Sequence, residues 1–136
     1  MKGIALFALL VVGACAIAKA ASSNEDAARE AAIQWLQLVD AGRNEEAASH
    51  GSSEVRSFEQ WLNHFKTQRA APGQVIKRQF VELKRAAIIS EVPEVRRYYI
   101  LRFKSSFEHK PAVIEIITIS KVGCCWEVFE YKVSDG

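Results

Sequence analysis

An α+β domain, with its helices ahead of a four-stranded antiparallel sheet, is the fold class that this 136-residue chain predicts. Three observations carry that expectation. Apolar residues from Ala28 to Phe65 recur at three- and four-residue spacing, the period of helices with one buried face. From Val75 onward the period shortens towards two, and Val, Ile, Thr and Tyr accumulate, as they do on pleated surfaces. Pro72-Gly73 separates the two regimes. Helices gathered before a meander argue against a doubly wound parallel sheet.

The chain opens on Met1-Lys2 and an apolar run from Ile4 to Ala18, shorter than a comfortable membrane span. Ala18-Lys19-Ala20 then has the small-x-small form of a signal peptidase site. Residues 1–20 therefore read as a signal peptide and 21–136 as a single exported domain, periplasmic or secreted, with no transmembrane span after cleavage. A second processing route is open, because Val12-Gly13-Ala14-Cys15 resembles a bacterial lipobox. By that route Cys15 is acylated and the protein is an envelope lipoprotein.

In the mature part, Ser23-x-x-Asp26 has the form of a capping box, and a helix follows to about Ala41. Ala28, Ala31, Ala32, Trp35, Leu38 and Val39 form its apolar stripe, and Gly42 stops it. A short second helix is expected over Asn44–His50, capped by Asn44 and ended by Gly51. Ser52 or Ser53 caps a third, with a stripe of Val55, Phe58, Trp61, Leu62 and Phe65, ending near Arg69.

Ile76 to Ile89 reads as a long strand, although Val81–Ile88 also admits a helical drawing. Glu91-Val92-Pro93-Glu94 is a turn, since Pro93 lacks a ladder donor and restricts Val92. Arg97–Phe107 alternates, with Tyr99, Leu101, Phe103 and Phe107 on one face and Tyr98, Arg102 and Lys104 on the other. Glu108-His109-Lys110 connects to Ala112–Ile119, and Lys121-Val122-Gly123 turns into Trp126–Val133. In that last strand, Glu127, Phe129, Tyr131 and Val133 share one face, and Trp126, Val128, Glu130 and Lys132 the other. Long strands in one meander twist and curl, so the sheet is expected to wrap the first helix, with Trp35 and Trp61 as the largest core contributors.

Charge excludes some functions. The eighteen basic and sixteen acidic residues become sixteen of each once Lys2 and Lys19 leave, and signs are interspersed. No nucleic-acid footprint or anionic-membrane patch results. His50, His64 and His109 lie in separate elements without metal-ligand spacing, and each reads as a solvated surface residue. His64 has no carboxylate one turn away on its own helix. Neither a metal nor a cofactor is expected. Cys124 and Cys125 are adjacent at a strand start and so point to opposite faces. A bridge between neighbours departs from ordinary disulfide geometry, so one small buried residue and one exposed thiol are expected, both inert.

Glu115 is the one candidate acid–base group, set among Val113, Ile117 and Ile119 on the same strand face. If that face lines a pocket, burial raises its pKa into the range of a general base. If the face is solvated, Glu115 is an ordinary charge paired with Lys104 or Arg102. Tyr98, Tyr99 and Tyr131 could supply a hydrogen bond beside it. Tyr99, Glu115 and Tyr131 are thus the candidate ligand-binding residues, with Glu115 the candidate catalytic one. There is no nucleophile elbow, phosphate loop or dinucleotide glycine pattern.

The order and spacing of several residues resemble a family of small exported bacterial proteins known as domain of unknown function 4019. The matching residues are Ala32-x-x-Trp35-Leu36-x-Leu38-x-Asp40-x-Gly42, then Gln60-Trp61, then Tyr99-x-x-x-Phe103-x-x-x-Phe107-Glu108-x-Lys110 with Glu115. The series closes on Gly123-x-x-Trp126-x-Val128-x-x-Tyr131, so the resemblance covers about residues 28–133. Family members carry an acidic-Gly-x-Trp turn before the last strand. Val122-Gly123-Cys124-Cys125-Trp126 here has no acid and one extra residue, which leaves the register of that hairpin open. The resemblance implies a cystatin-like or nuclear-transport-factor-2-like cone and no established activity. Such folds host enzymes and binding modules alike. The preferred reading is a non-catalytic envelope protein that binds a small apolar ligand or an envelope protein. The alternative is an isomerase- or hydrolase-like enzyme with Glu115 as general base.

Overall fold

The computed structural model describes residues 23–136. The signal-peptide reading of residues 1–20 and the lipidation reading of Cys15 lie outside the described residues. Three helices, α1 (Asn24–Asp40), α2 (Asn44–Ser49) and α3 (Phe58–Ala70), precede four strands, β1 (Val75–Ala86), β2 (Tyr98–Phe107), β3 (Lys110–Val122) and β4 (Cys125–Asp135). The strands form one open antiparallel sheet in the order β1-β2-β3-β4. This is the α+β architecture expected, with the helices on one face of the sheet.

Helix α1 starts where its capping box predicts. The Ser23 hydroxyl accepts from the Asp26 N–H at 3.0 Å, and the Asp26 carboxylate accepts from the Ser23 N–H at 3.5 Å. Ala28, Ala32, Trp35, Leu36 and Val39 are buried against the sheet, while Ala31 and Leu38 are half-buried. Helix α2 begins with Asn44 inside it and Arg43 at the cap position, without a side-chain cap.

Helix α3 starts later than expected. Ser57, not Ser52 or Ser53, caps it, in a capping box with Gln60. The reason is tertiary. The Ser52 N–H donates to the Val128 carbonyl and the Val128 N–H to the His50 carbonyl, each at 2.8 Å. That pairing places Gly51 beside β4 and holds the segment out of a helix. Trp61 Nε1–H closes the corner by donating to the Ser52 carbonyl at 2.9 Å.

Strand β1 ends at Ala86, and residues 87–97 fold over the face of the sheet opposite the helices. There Ile89 and Val92 pack with Tyr98 and Phe129 as a second, smaller cluster, and the Tyr98 hydroxyl donates to the Glu94 carbonyl at 2.9 Å. Strand β4 corrects the expected alternation. A bulge at Phe129 falls between the pairs Thr118–Glu130 and Ile119–Val128. A bulge sets two residues against one and reverses the face of the residues beyond it. Trp126 and Val128 therefore join Tyr131 and Val133 on the helix side, and Phe129 turns to the second cluster.

Edge β4 is covered between Val128 and Val133. Beside the Val128 pair, His64 Nε2–H donates to the Tyr131 carbonyl at 2.6 Å, and Gln68 accepts from the Val133 N–H at 2.7 Å. His64 is thus largely buried, and its carboxylate neighbour comes from β4, where Glu130 lies 3.1 Å away. Its expected surface placement failed because the partner is distant in sequence and close only across the α3–β4 contact.

Candidate functional site

Glu115 is fully buried on the helix side of β3. Its partner is Arg78 on β1, not Lys104 or Arg102. Arg78 pairs across the ladder with Ser105 of β2, so both project to the same side as Glu115. Arg78 Nε donates to Glu115 Oε1 at 2.7 Å and Nη2 to Oε2 at 3.1 Å. The Ser105 hydroxyl adds a bond to Oε1 at 2.5 Å, and the Tyr131 hydroxyl one to Oε2 at 2.6 Å. Two carboxylate oxygens offer about four acceptor sites, and all four are taken.

The network continues into the helices. The other edge of Arg78 donates to Asp40, the last residue of α1, through Nη1 at 2.7 Å and Nη2 at 3.0 Å. Arg69, near the end of α3, donates to Asp40 at 2.9 Å and stacks over the Phe107 ring at 4.7 Å. An acidic residue at a helix C-terminus opposes the helix dipole. Here two guanidinium groups offset it. Burial works against the Arg78 charge, but its bonds to Asp40 and Glu115 more than compensate and raise its pKa above the usual range. Burial first, and the neighbouring Glu115 carboxylate second, push the Tyr131 phenol far above the usual tyrosine range. Tyr131 is therefore a fixed O–H donor.

The structure thus brings two of the candidate site residues together, Glu115 and Tyr131, and sets the third apart. Tyr99 is buried nearer the β3–β4 hairpin, edge-on to Trp126 at 5.8 Å. Tyr98 lies on the opposite face of the sheet. Sequence reasoning misses Asp40, Arg69, Arg78 and Ser105 as site residues. Asp40 does stand among the family-like positions, and Arg78 is one of several basic residues in a strand with imperfect alternation.

A separate concavity of about 350 Å³ lies between α1 and the β3–β4 hairpin. Its apolar surface comes from Trp35, Leu38, Ile119, Trp126 and Val128. Polar groups line it too, with Glu46, His50 and Gln34 exposed and Glu127 half-buried. Trp35 is held by donation of its Nε1–H to the Ala47 carbonyl at 3.1 Å. Cys125 also lines this groove.

At that hairpin the structure corrects the reading of the cysteines. Cys124 and Cys125 are joined by a disulfide, and both are exposed. The pair Val122–Cys125 closes a two-residue turn, with Gly123 at φ +65°. Cys124 thus belongs to the turn and not to a strand, so strand alternation does not send the two sulfurs to opposite faces.

Among the described residues, no helix is long and apolar enough to cross a membrane, and no group of three or more His, Cys, Asp or Glu could hold a metal ion. Neither a curated protein nor a solved structure matches the chain. One family model does, that described as "Protein of unknown function (DUF4019)", over residues 31–131. The match spans most of the helical layer and all of the sheet up to Tyr131, so the chain belongs to this family.

Proposed function

We propose that this protein is an exported, non-catalytic binding module of the bacterial cell envelope, which takes a small, largely apolar ligand in the groove between α1 and the β3–β4 hairpin. The observation that carries the reading is the groove: about 350 Å³ of concave space with apolar walls and a few polar side chains. Small-molecule sites have that make-up, with a few polar groups fixing orientation. Glu115 supports the non-catalytic part. It is fully buried and takes four hydrogen bonds, so it has no free acceptor site for a substrate proton. Export rests on the leader over residues 1–20. The intact mass of the protein from its native host tests it: a chain beginning at Ala21 fits a soluble exported domain, and one beginning at acylated Cys15 a tethered lipoprotein.

Binding is tested with N-phenyl-1-naphthylamine, an uncharged apolar fluorophore. The expected result is saturable enhancement at one site. Trp126→Ala should weaken it about tenfold or more, and Leu38→Lys should abolish it, both with unchanged far-UV circular dichroism. Absence of saturable binding, or equal affinity in both variants, rejects the groove as the site.

A further inference from the structure

We propose that the Cys124–Cys125 disulfide is a site of thiol–disulfide exchange that takes an external dithiol. The proposal goes beyond ligand binding and does not depend on it. Three observations carry it. The bridge joins neighbours in sequence, so it closes no chain loop. Disulfide stabilisation grows with the length of the loop closed, so this bond contributes almost nothing as a staple. Nor is one needed there, because the hairpin is already held by the β3–β4 ladder from Val113–Asp135 to Val122–Cys125 and by the buried Ile119 and Val128. Finally, both cysteines are exposed at the tip of that hairpin, where a thiolate can approach either sulfur. Access of this kind separates exchangeable disulfides from buried structural ones.

The step is an ordinary exchange. One thiolate of the dithiol attacks a sulfur of the pair, the Cys124–Cys125 bond breaks, and its electron pair leaves on the other sulfur, which takes a proton. The second thiolate of the reagent then attacks the mixed disulfide and frees the remaining cysteine. The dithiol is oxidised to its disulfide, and the pair gains two electrons and two protons. Because the change is confined to the turn, the fold is expected to survive it.

The test treats the folded full-length chain, leader included, briefly with dithiothreitol, blocks with iodoacetamide, and locates the label by intact mass and peptide mapping, so that Cys15 is scored separately. The expected result is no label at Cys124 or Cys125 before reduction and label at both after it. The rate should be within about tenfold of that for the chain unfolded in guanidinium, and the melting temperature should change by less than about 2 °C. Label before reduction overturns the proposal, because the bond is then absent. Label only in the unfolded chain overturns it, because the bond is then shielded. A large drop in melting temperature on reduction overturns it too, because the bond is then structural.

Discussion

Arg78 is the residue on which most of the buried polar chemistry depends. Its guanidinium holds two acids from different layers, Asp40 of α1 and Glu115 of β3. Such pairs add little net stability when compared with well-packed apolar residues, yet removing one partner alone is costly. Arg78→Met is therefore expected to lower unfolding free energy by about 3–5 kcal/mol, because it leaves the enclosed Glu115 carboxyl without its cation. Glu115→Leu alone should cost less, since Arg78 keeps Asp40. In the double variant the two losses should be strongly non-additive, with a coupling of about 1–3 kcal/mol. Urea denaturation of the four proteins checks this, and additive losses would show that the two side chains do not act as a pair. Glu115 is visible in the sequence as a carboxylate in an apolar strand. Its partner is not, because Arg78 is 37 residues away and competes with other basic residues on the same strand.

Between elements, the contact of α3 with β4 supplies the clearest dependence on pH. Partial burial raises the pKa of Glu130, but His64, the Tyr131 N–H and Arg56 outweigh that and hold it at about 2, against 4.5 unperturbed. A carboxyl depressed in the folded state contributes stability that is fully present above its unfolded pKa and is lost as pH falls through the folded one. Stability should therefore decline between roughly pH 4.5 and 2. Glu130→Gln should remove part of that decline, and should lower stability at neutral pH by on the order of 1–2 kcal/mol after allowance for solvent. Unfolding curves at several pH values decide it, and an unchanged slope would discard Glu130 as a contributor. The α2–α3 connection offers a steric test. A Cβ on Gly51 would run into the Trp61 ring. Gly51→Ala should thus cost about 1–3 kcal/mol, as overpacking does, and a thermal melt within error of wild type would disprove the close approach. The capping box at Ser23 is readable because both partners lie within four residues. The start of α3 is not, because Val128 of β4, distant in sequence, holds Ser52 out of the helix.

Over the whole molecule, helices and sheet share one main core, in which Trp35 packs edge-on against Phe65 at 5.0 Å and Tyr131 at 5.2 Å. The ionic chain from Arg69 through Asp40 and Arg78 to Glu115 crosses the same boundary. The two layers should therefore unfold together. Tryptophan fluorescence, which reports the helix–sheet interface, and far-UV circular dichroism, which reports the helices, should give coincident urea transitions. Separate midpoints would mean that the helical layer detaches from the sheet. The α+β class, the seven elements and their order were legible from sequence alone, because hydrophobic period, capping residues and turn chemistry are local properties. Tertiary structure alone decided the bulge that turns Trp126 and Val128 inward, the late start of α3 and the joining of Cys124 to Cys125. It also decided which of the many basic residues meets Glu115. The bulge, the late start of α3 and the partner of Glu115 depend on contacts between segments far apart in the chain, and the cysteine bridge on the hairpin register that puts Cys124 in the turn; a one-residue shift of register reverses which face a side chain occupies.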